Sequence, residues 1–271
     1  MKQTYGLKIA LITLVSLMLG LVSCSDDSTS GGDEFSCSNF TLPQQVAPVQ
    51  VDLTYFQTNQ VQPGPDNTVY QQVSQTAQVG GSLLNSGGGS FALATALLSF
   101  AQFSGIQPEA SNGSCIWEIA PPAGQTGGLD LSVTVIATQT GDGFSWEIIY
   151  DGEVDEETTV EDFTIITGTT SNDFNNGEWR FFDFENPGQT ALTYSWDVED
   201  EDNFEANLDV NDGGSSDGSV DYRKEAPENF MTLVTSEGAV DISWNTSTDS
   251  GYAEQGGMRM CYENFVNAPC P

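Results

Sequence analysis

The sequence contains no histidine and only six lysine and arginine residues, against 39 aspartate and glutamate residues in 271. Without histidine, the chain cannot form a Ser-His-Asp or Cys-His nucleophile system, an HExxH zinc site or an imidazole pH switch. So few cations leave little material for a basic track along DNA or RNA, or for a clamp around several phosphates. The composition therefore argues against a nucleic-acid ligand and leaves an acidic chain with a net charge of −33.

The N-terminus has the parts of a secretory signal. A short positively charged start precedes an apolar run from Ile9 to Val22, which is shorter than the roughly 20 apolar residues of a transmembrane helix. The residues Leu21-Val22-Ser23-Cys24 resemble the lipobox of bacterial lipoproteins. This resemblance implies that residues 1–23 are a signal peptide and that Cys24 is diacylated and begins the mature chain. The alternatives are a cleaved soluble signal peptide and an uncleaved anchor.

The polar segment 24–36 is expected to be a flexible acidic tether. It begins with Ser25-Asp26-Asp27 directly after the lipobox cysteine, which is similar to the export signal of surface lipoproteins of the Bacteroidota type. The resemblance implies an outer-membrane lipoprotein displayed on the cell surface, and an ordinary polar linker is the alternative. The mature chain has four basic and 39 acidic residues, a net charge of −35. Anionic lipid repels such a body, so the acyl chains must hold it at the membrane.

The cysteines that follow Cys24 number four, an even count that favours two disulfides in an exported protein. They are Cys37, Cys115, Cys261 and Cys270. Three pairings are possible, and the sequence does not choose among them. We expect Cys37 to pair with Cys115 and Cys261 with Cys270. A metal site is the weaker alternative, because the cysteines lack CxxC spacing and a histidine partner.

Two helices are predicted early in the domain. The first is indicated by a stripe of residues at intervals of three and four, with Asp66 or Asn67 as its N-cap. The stripe consists of Val69, Val73, Ala77, Gly80 and Leu84. After Gly87-Gly88-Gly89, a second helix is predicted over Phe91–Phe103. It is apolar on nearly all sides and too short to span a bilayer, so it must be covered all round.

The rest of the chain alternates apolar and polar residues with the period of half-buried strands. Leu129–Val135 and Phe144–Tyr150 are such runs, joined by Gly141-Asp142-Gly143. Leu192–Val198 and Phe204–Val210 form a second hairpin around an acidic loop. Further strands are predicted at Cys115–Ala120, Phe163–Thr167, Glu178–Phe184, Ser219–Arg223, Phe230–Thr235, Val240–Trp244 and Met258–Tyr262.

These patterns predict a single α+β domain over residues 37–271, with a helical part at about 66–104 and a β-meander at about 114–263. Because twist accumulates in a large sheet, we expect a curved antiparallel meander or partial barrel of about ten strands. Its apolar concave face would hold the one or two helices. This plan resembles the unclosed barrels with helical lids that carry lipids in bacterial envelopes.

Calcium is the one cofactor that the sequence suggests, because a hard cation needs several oxygen ligands from a turn. Candidate ligands lie in an Asp-, Asn- and Gly-rich run: they are Asp209, Asn211, Asp212 and Asp217. The run does not match an EF-hand, because Val220 occupies the position where a glutamate is required. A solvated hairpin turn is the alternative interpretation.

Aromatic residues that miss the core face are candidates for ligand contact. The five tryptophans lie in apolar or alternating segments, which favours a core position for most of them. Trp179 follows the turn-like Asn175-Asn176-Gly177 and precedes Arg180, so it is the candidate for a surface contact. The basic pair Arg223-Lys224 is expected to form local ion pairs with neighbouring acids.

No residue pattern indicates catalysis. Two carboxylates could serve a glycoside hydrolase, but the 39 acids form many pairs and fall mostly on polar strand faces or in turns. The expected function is a lipid-anchored, non-catalytic binding or structural module of the cell envelope. A lipocalin-like or LolA-like carrier of an apolar ligand is the second hypothesis, and a carboxylate-based glycoside hydrolase is the third. The expected partner is the membrane, through the acyl groups on Cys24; a protein or a glycan could be a further one.

Overall fold

Two helices and fourteen strands make up the described part of the chain. A computed structural model of the protein describes Cys37 and residues 51–103, 106–120, 131–153, 159–212 and 215–271, with side chains at all of these except 87–103, 131, 212 and 215–217. Cys24, the predicted export signal and the rest of segment 1–36 lie outside these residues. The elements are α1 (Thr54–Thr58), α2 (Thr68–Phe103), β1 (Glu109–Ser111), β2 (Ser114–Ile119), β3 (Leu131–Gln139), β4 (Gly143–Glu153), β5 (Thr159–Ser171), β6 (Asn176–Phe182), β7 (Thr190–Val198), β8 (Asn203–Asp212), β9 (Ser215–Glu225), β10 (Glu228–Thr235), β11 (Gly238–Asn245), β12 (Ser250–Gln255), β13 (Met258–Glu263) and β14 (Val266–Ala268).

All fourteen strands belong to one open antiparallel sheet, and their order in the sheet is their order in the chain. The predicted antiparallel meander is therefore confirmed. The predicted number of about ten strands is wrong, because β1, β12 and β14 were not expected. Two of these are three residues long, and β12 reads Ser-Gly-Tyr-Ala-Glu-Gln. Such segments show no clear apolar alternation from which a strand could be predicted.

The core face of the sheet carries rows of large side chains beside small ones. Trp146, Gly168, Trp179 and Tyr194 are cross-strand neighbours on β4 to β7. A Cβ atom added to Gly168 would lie 2.8 Å from the Trp179 ring, so only glycine leaves room for the indole. This large-and-small complementarity gives the close packing that a folded core requires.

The N-terminal part of α2 packs on this core face. The predicted stripe from Val69 to Leu84 is confirmed, because these side chains are buried. The Tyr70 ring lies 5.4 Å from the Tyr262 ring on β13, and Phe56 of α1 lies 5.2 Å from Trp244 on β11. Farther along α2, Gly80 faces the side chain of Met231 on β10 so closely that a methyl group would clash. Glycine therefore lets the helix approach the sheet directly.

The predicted break between two helices is wrong, since α2 runs unbroken through Gly87-Gly88-Gly89 to Phe103. Glycine adopts helical dihedral angles and only lowers helix propensity, by about 1 kcal/mol per residue relative to alanine. The side chains of the predicted all-apolar segment Phe91–Phe103 lie outside the described residues. Neither described helix combines the length and the apolarity that a membrane crossing requires.

The start of α2 is capped from the far end of the chain. The side-chain Oδ1 of Asn267, on β14, accepts a hydrogen bond of 3.0 Å from the Val69 N–H, and its Nδ2 donates to the Pro65 carbonyl at 3.1 Å. Of the two predicted caps, Asp66 and Asn67, Asn67 directly precedes the helix and its carbonyl accepts from Gln71 N–H at 3.1 Å, but its side chain fastens the preceding loop, accepting from Gly64 N–H at 2.8 Å. A local sequence window cannot contain a cap that is 198 residues away.

Replacing Asn267 by alanine should lower the free energy of unfolding by about 1–3 kcal/mol, because the Val69 N–H and the Pro65 carbonyl both lose partners. Asn267→Asp keeps the acceptor and places a negative charge at a helix N-terminus, so it should cost less. Urea unfolding followed by tryptophan fluorescence measures both effects. Equal losses in the two variants would contradict the capping role.

Candidate functional site

The alternation of the strands gives the sheet a second face, here called the outer face, opposite α1 and α2. On this face Arg223, Phe230, Ser243 and Tyr252 are cross-strand neighbours on β9 to β12. We call these four residues the aromatic row. Adjacent strands lie about 4.8 Å apart, so the Phe230 and Tyr252 side chains leave the sheet about 10 Å apart, with the small Ser243 between them.

Each ring of the aromatic row carries an arginine. The guanidinium carbon of Arg223 lies 4.6 Å from the Phe230 ring centroid, and that of Arg259 lies 4.1 Å from the Tyr252 centroid. The same arginines pair with Glu225 at 3.0 Å and Glu254 at 2.8 Å. These ion pairs are solvent-exposed, so each contributes about 1 kcal/mol or less. Their main effect is to hold two planar guanidinium groups against the rings.

Two grooves on the outer face meet at Phe230. One, of about 470 Å³, extends over β7 to β10 and includes Asn207, Asp221 and Arg223 in its lining. The other, of about 560 Å³, extends over β10 to β13 and includes Ser243, Tyr252 and Arg259. Together they form what we call the outer groove. It runs across the strands for about 29 Å, the width of seven neighbouring strands.

A row of polar side chains runs beside the aromatic row. Asn207, Asp221, Thr232 and Asp241 are cross-strand neighbours on β8 to β11. Asn207 Nδ2 donates to Asp221, and Thr232 Oγ1 donates to Asp241 at 2.7 Å. Each carboxylate keeps free lone pairs beyond these bonds. The row therefore offers hydrogen-bond acceptors along the edge of the aromatic surface.

The C-terminal segment forms a wall of the outer groove. Cys270 is bonded to Cys261 on β13, with the two Cα atoms 5.1 Å apart. Pro269 and Pro271 on either side of Cys270 line the groove beside Tyr252 and Arg259. The short disulfide loop thus keeps the end of the chain on the outer face.

Both expected disulfides are present. Cys37 is bonded to Cys115 with a Cα–Cα distance of 5.5 Å, and Cys261 to Cys270. Their loops span 78 and 9 residues. The first ties Cys37, which precedes the helices in the chain, to β2.

The predicted calcium ligands lie along two paired strands. Asp209 and Asn211 are on β8, at the end of which Asp212 lies, and Asp217 is on β9. Burial, and secondly the charge of Asp221, raise the pKa of Asp209. In the part of the chain that the structure describes, no three His, Cys, Asp or Glu side chains are grouped so that they could hold a metal ion. The side chains of Asp212 and Asp217 are outside that part, and calcium stays a prediction.

The prediction that Trp179 contacts a ligand at the surface is wrong. Its side chain is 2% exposed and lies on the core face, 6.1 Å from Trp146 between ring centroids. The turn lies earlier than the sequence suggested, because β6 already begins at Asn176. Trp179 therefore alternates with the outward-facing Glu178 and Arg180.

The aromatic row was missed in the sequence. Phe230 and Met231 are adjacent apolar residues, so the sequence does not show which of the two faces the core. Arg223 and Lys224 were noted as a basic pair, and their expected local ion pairs are confirmed, with Glu225 and Asp202 at 3.0 and 3.2 Å. The sequence does hold one signal for the row. Arg223 lies near the end of β9, the strand before Phe230 on β10, and Arg259 lies near the start of β13, the strand after Tyr252 on β12.

Comparison of the chain with protein-family models, with curated proteins and with solved structures finds no match.

Proposed function

We propose that this chain is a lipid-anchored protein of a bacterial cell envelope, displayed at the surface of the outer membrane, that acts as a non-catalytic binding module. Its ligand would occupy the outer groove. The observation that carries the proposal is the meeting of two grooves at Phe230, with a ring–arginine pair in each. A groove lined by rigid aromatic groups and a few polar side chains is a usual form of binding site.

The anchor is supported by the sequence Leu21-Val22-Ser23-Cys24 and by the acidic residues that follow it. A mature chain with four basic and 39 acidic residues gains nothing electrostatically from an anionic membrane, so attachment needs acyl chains.

Packing of the core face favours a binding module over a carrier of apolar ligands. The side chains of Phe56, Tyr70, Val73 and Ala77 are each at most 3% exposed against the sheet. At Gly80 the helix lies against the Met231 side chain, which would have to move to admit a methyl group. The helix thus occupies, along this stretch, the place that an apolar ligand between helix and sheet would need.

The proposal includes a sheet that bends around α2. Helix α2 contacts β2 near one end of the sheet as well as β12, β13 and β14 at the other. Twisted sheets of more than about ten strands usually curl. A concave core face would hold α2 and turn the outer groove toward solvent.

The anchor is tested by expressing the full chain and its Cys24→Ala variant in a bacterium of the Bacteroidota, with an alkyne-bearing fatty acid in the medium. The unaltered chain should be labelled, remain with membranes and be degraded by protease added to intact cells. Cys24→Ala should lose the label and the membrane attachment. Labelling of the variant, or protection from protease, would refute the anchor or the surface location.

The binding site is tested in the same cells with a photo-crosslinking amino acid at Ser243, in the outer groove, or at Thr167, on the outer face of β5. Crosslinked products should form from position 243 and not from 167. Equal products, or none, would refute the outer groove as the binding site. The Thr167 control separates the groove from general exposure on the same sheet face.

A further inference from the structure

We infer that the outer groove binds a neutral polysaccharide lying across the strands, with each ring–arginine pair of the groove contacting one sugar unit. This inference rests on the proposed binding function and names its ligand class. A pyranose ring presents an apolar C–H face and a rim of hydroxyl groups. A matching surface needs planar groups for the face and hydrogen-bonding groups at the rim.

The aromatic row supplies the planar groups. Phe230 and Tyr252 are half-buried, so their rings are fixed by the sheet and lose little conformational freedom on binding. The guanidinium groups 4.6 and 4.1 Å from the ring centroids extend these planes. Each guanidinium has five N–H donors, of which the paired carboxylate uses only some. The remaining donors face hydroxyl oxygens at the rim of a sugar.

The polar row supplies acceptors. Asp221 and Asp241 accept hydrogen bonds from Asn207 and Thr232, which orient them beside the rings. Carboxylates accept hydroxyl donors strongly, because one partner is charged. The same carboxylates repel phosphate, sulfate and uronate groups, and the net charge of −35 that four basic and 39 acidic residues give the mature chain adds to this repulsion. The groove therefore favours a neutral chain over an anionic one.

The sheet does not suit an extended peptide at this place. A peptide that adds a strand needs free backbone groups at a sheet edge. Phe230 and Tyr252 lie on interior strands, β10 and β12, whose backbones are paired on both sides. A peptide could use only side-chain contacts here. A basic peptide attracted by the carboxylates is thus the less favoured occupant.

The length of the groove indicates a chain of sugars. It crosses seven strands, about 29 Å, and the two ring–arginine pairs are about 10 Å apart within it. A monosaccharide would contact only one pair. A polymer could contact both and continue past Asn207 at one end and the C-terminal wall at the other.

The test uses the full lipidated chain, purified in detergent and immobilised. Soluble xyloglucan, galactomannan and mixed-linkage β-glucan are the neutral probes, alginate is the anionic probe and oligolysine is the basic probe. At least one neutral polysaccharide should bind, and alginate should not. Phe230→Ala and Tyr252→Ala should each weaken that binding by about tenfold.

Phe204→Ala is the control for a ring beside a cation on the opposite face of the sheet, where Phe204 packs 5.6 Å from the Tyr222 ring. Phe204 also pairs with a cation, Lys224 at 5.7 Å, but lines neither groove. This variant should bind the polysaccharide as the unaltered chain does, and circular dichroism should show that all three variants are folded. The inference is overturned if no neutral probe binds, if the two groove variants bind normally, or if only oligolysine binds. Crosslinking from Ser243 in that case would leave the proposed binding function standing.

Discussion

Removing the disulfide between Cys37 and Cys115 should lower the free energy of unfolding by about 4.5 kcal/mol in the loop-entropy model. The bond closes a loop of 78 residues, and its loss lets the unfolded chain explore many more conformations. Alanine is the suitable replacement for both cysteines, because Cys115 is fully buried and a serine hydroxyl there would add a desolvation cost. The measurement is equilibrium unfolding of the full chain.

Urea is the appropriate denaturant for this experiment. Guanidinium chloride is a salt and would screen the repulsion among 39 acidic residues. The matched control is the double alanine variant of Cys261 and Cys270, whose loop of 9 residues predicts a loss of about 2.5 kcal/mol. A smaller loss from the long loop than from the short one would show that native-state contacts, rather than loop length, determine the effect.

Trp179→Ala should cost about 3–5 kcal/mol of folding stability, the range for truncating a large buried aromatic residue. The side chain is 2% exposed and fits against Gly168, so its removal leaves a cavity that the neighbouring strands cannot close. Trp179→Phe should cost less, because more of the volume is kept. Thermal and urea unfolding of the variants measure the difference.

Arg180→Ala is the control for Trp179, because this next residue on β6 points to the outer face and forms an exposed ion pair with Glu178. This variant should change stability by about 0.5 kcal/mol or less. If Trp179→Ala left stability unchanged and weakened ligand binding, the original surface prediction would be right and the core placement wrong.

Apolar alternation identified most of the sheet. Runs such as Leu192–Val198 and Phe204–Val210 carry large residues on one face, so their strands and the hairpin between them could be predicted. Strand β12 could not be predicted in this way, because Gly251 lies on its core face at a position where a large residue is expected. Tyr262 fills that space from the neighbouring strand, and this compensation is visible only when the two strands are side by side.

The site was harder to predict than the fold. The pattern Asn175-Asn176-Gly177 predicts a turn beside Trp179, but the turn ends two residues before Gly177, at Asn175, and β6 begins at Asn176. Phe230 and Tyr252 become a site only through cross-strand register, which places them on the same face with Ser243 between them. Register depends on the turns that join the strands. Phe230 and Tyr252 are 22 positions apart in the sequence, so no local residue pattern identifies them as one site.

The capping of α2 by Asn267 couples the first long element of the domain to its last strand. Every strand pairs with its neighbours in sequence, so hairpins can add one after another as the polypeptide lengthens, with small loop-closure costs. The first turn of α2 gains its cap only when β14 has joined the sheet, because the capping side-chain amide belongs to Asn267. A chain truncated before β14 could still form the earlier hairpins, but the start of α2 would lack its cap from Asn267. The long helix is thus stabilised at its start by a strand that lies 198 residues further along the chain.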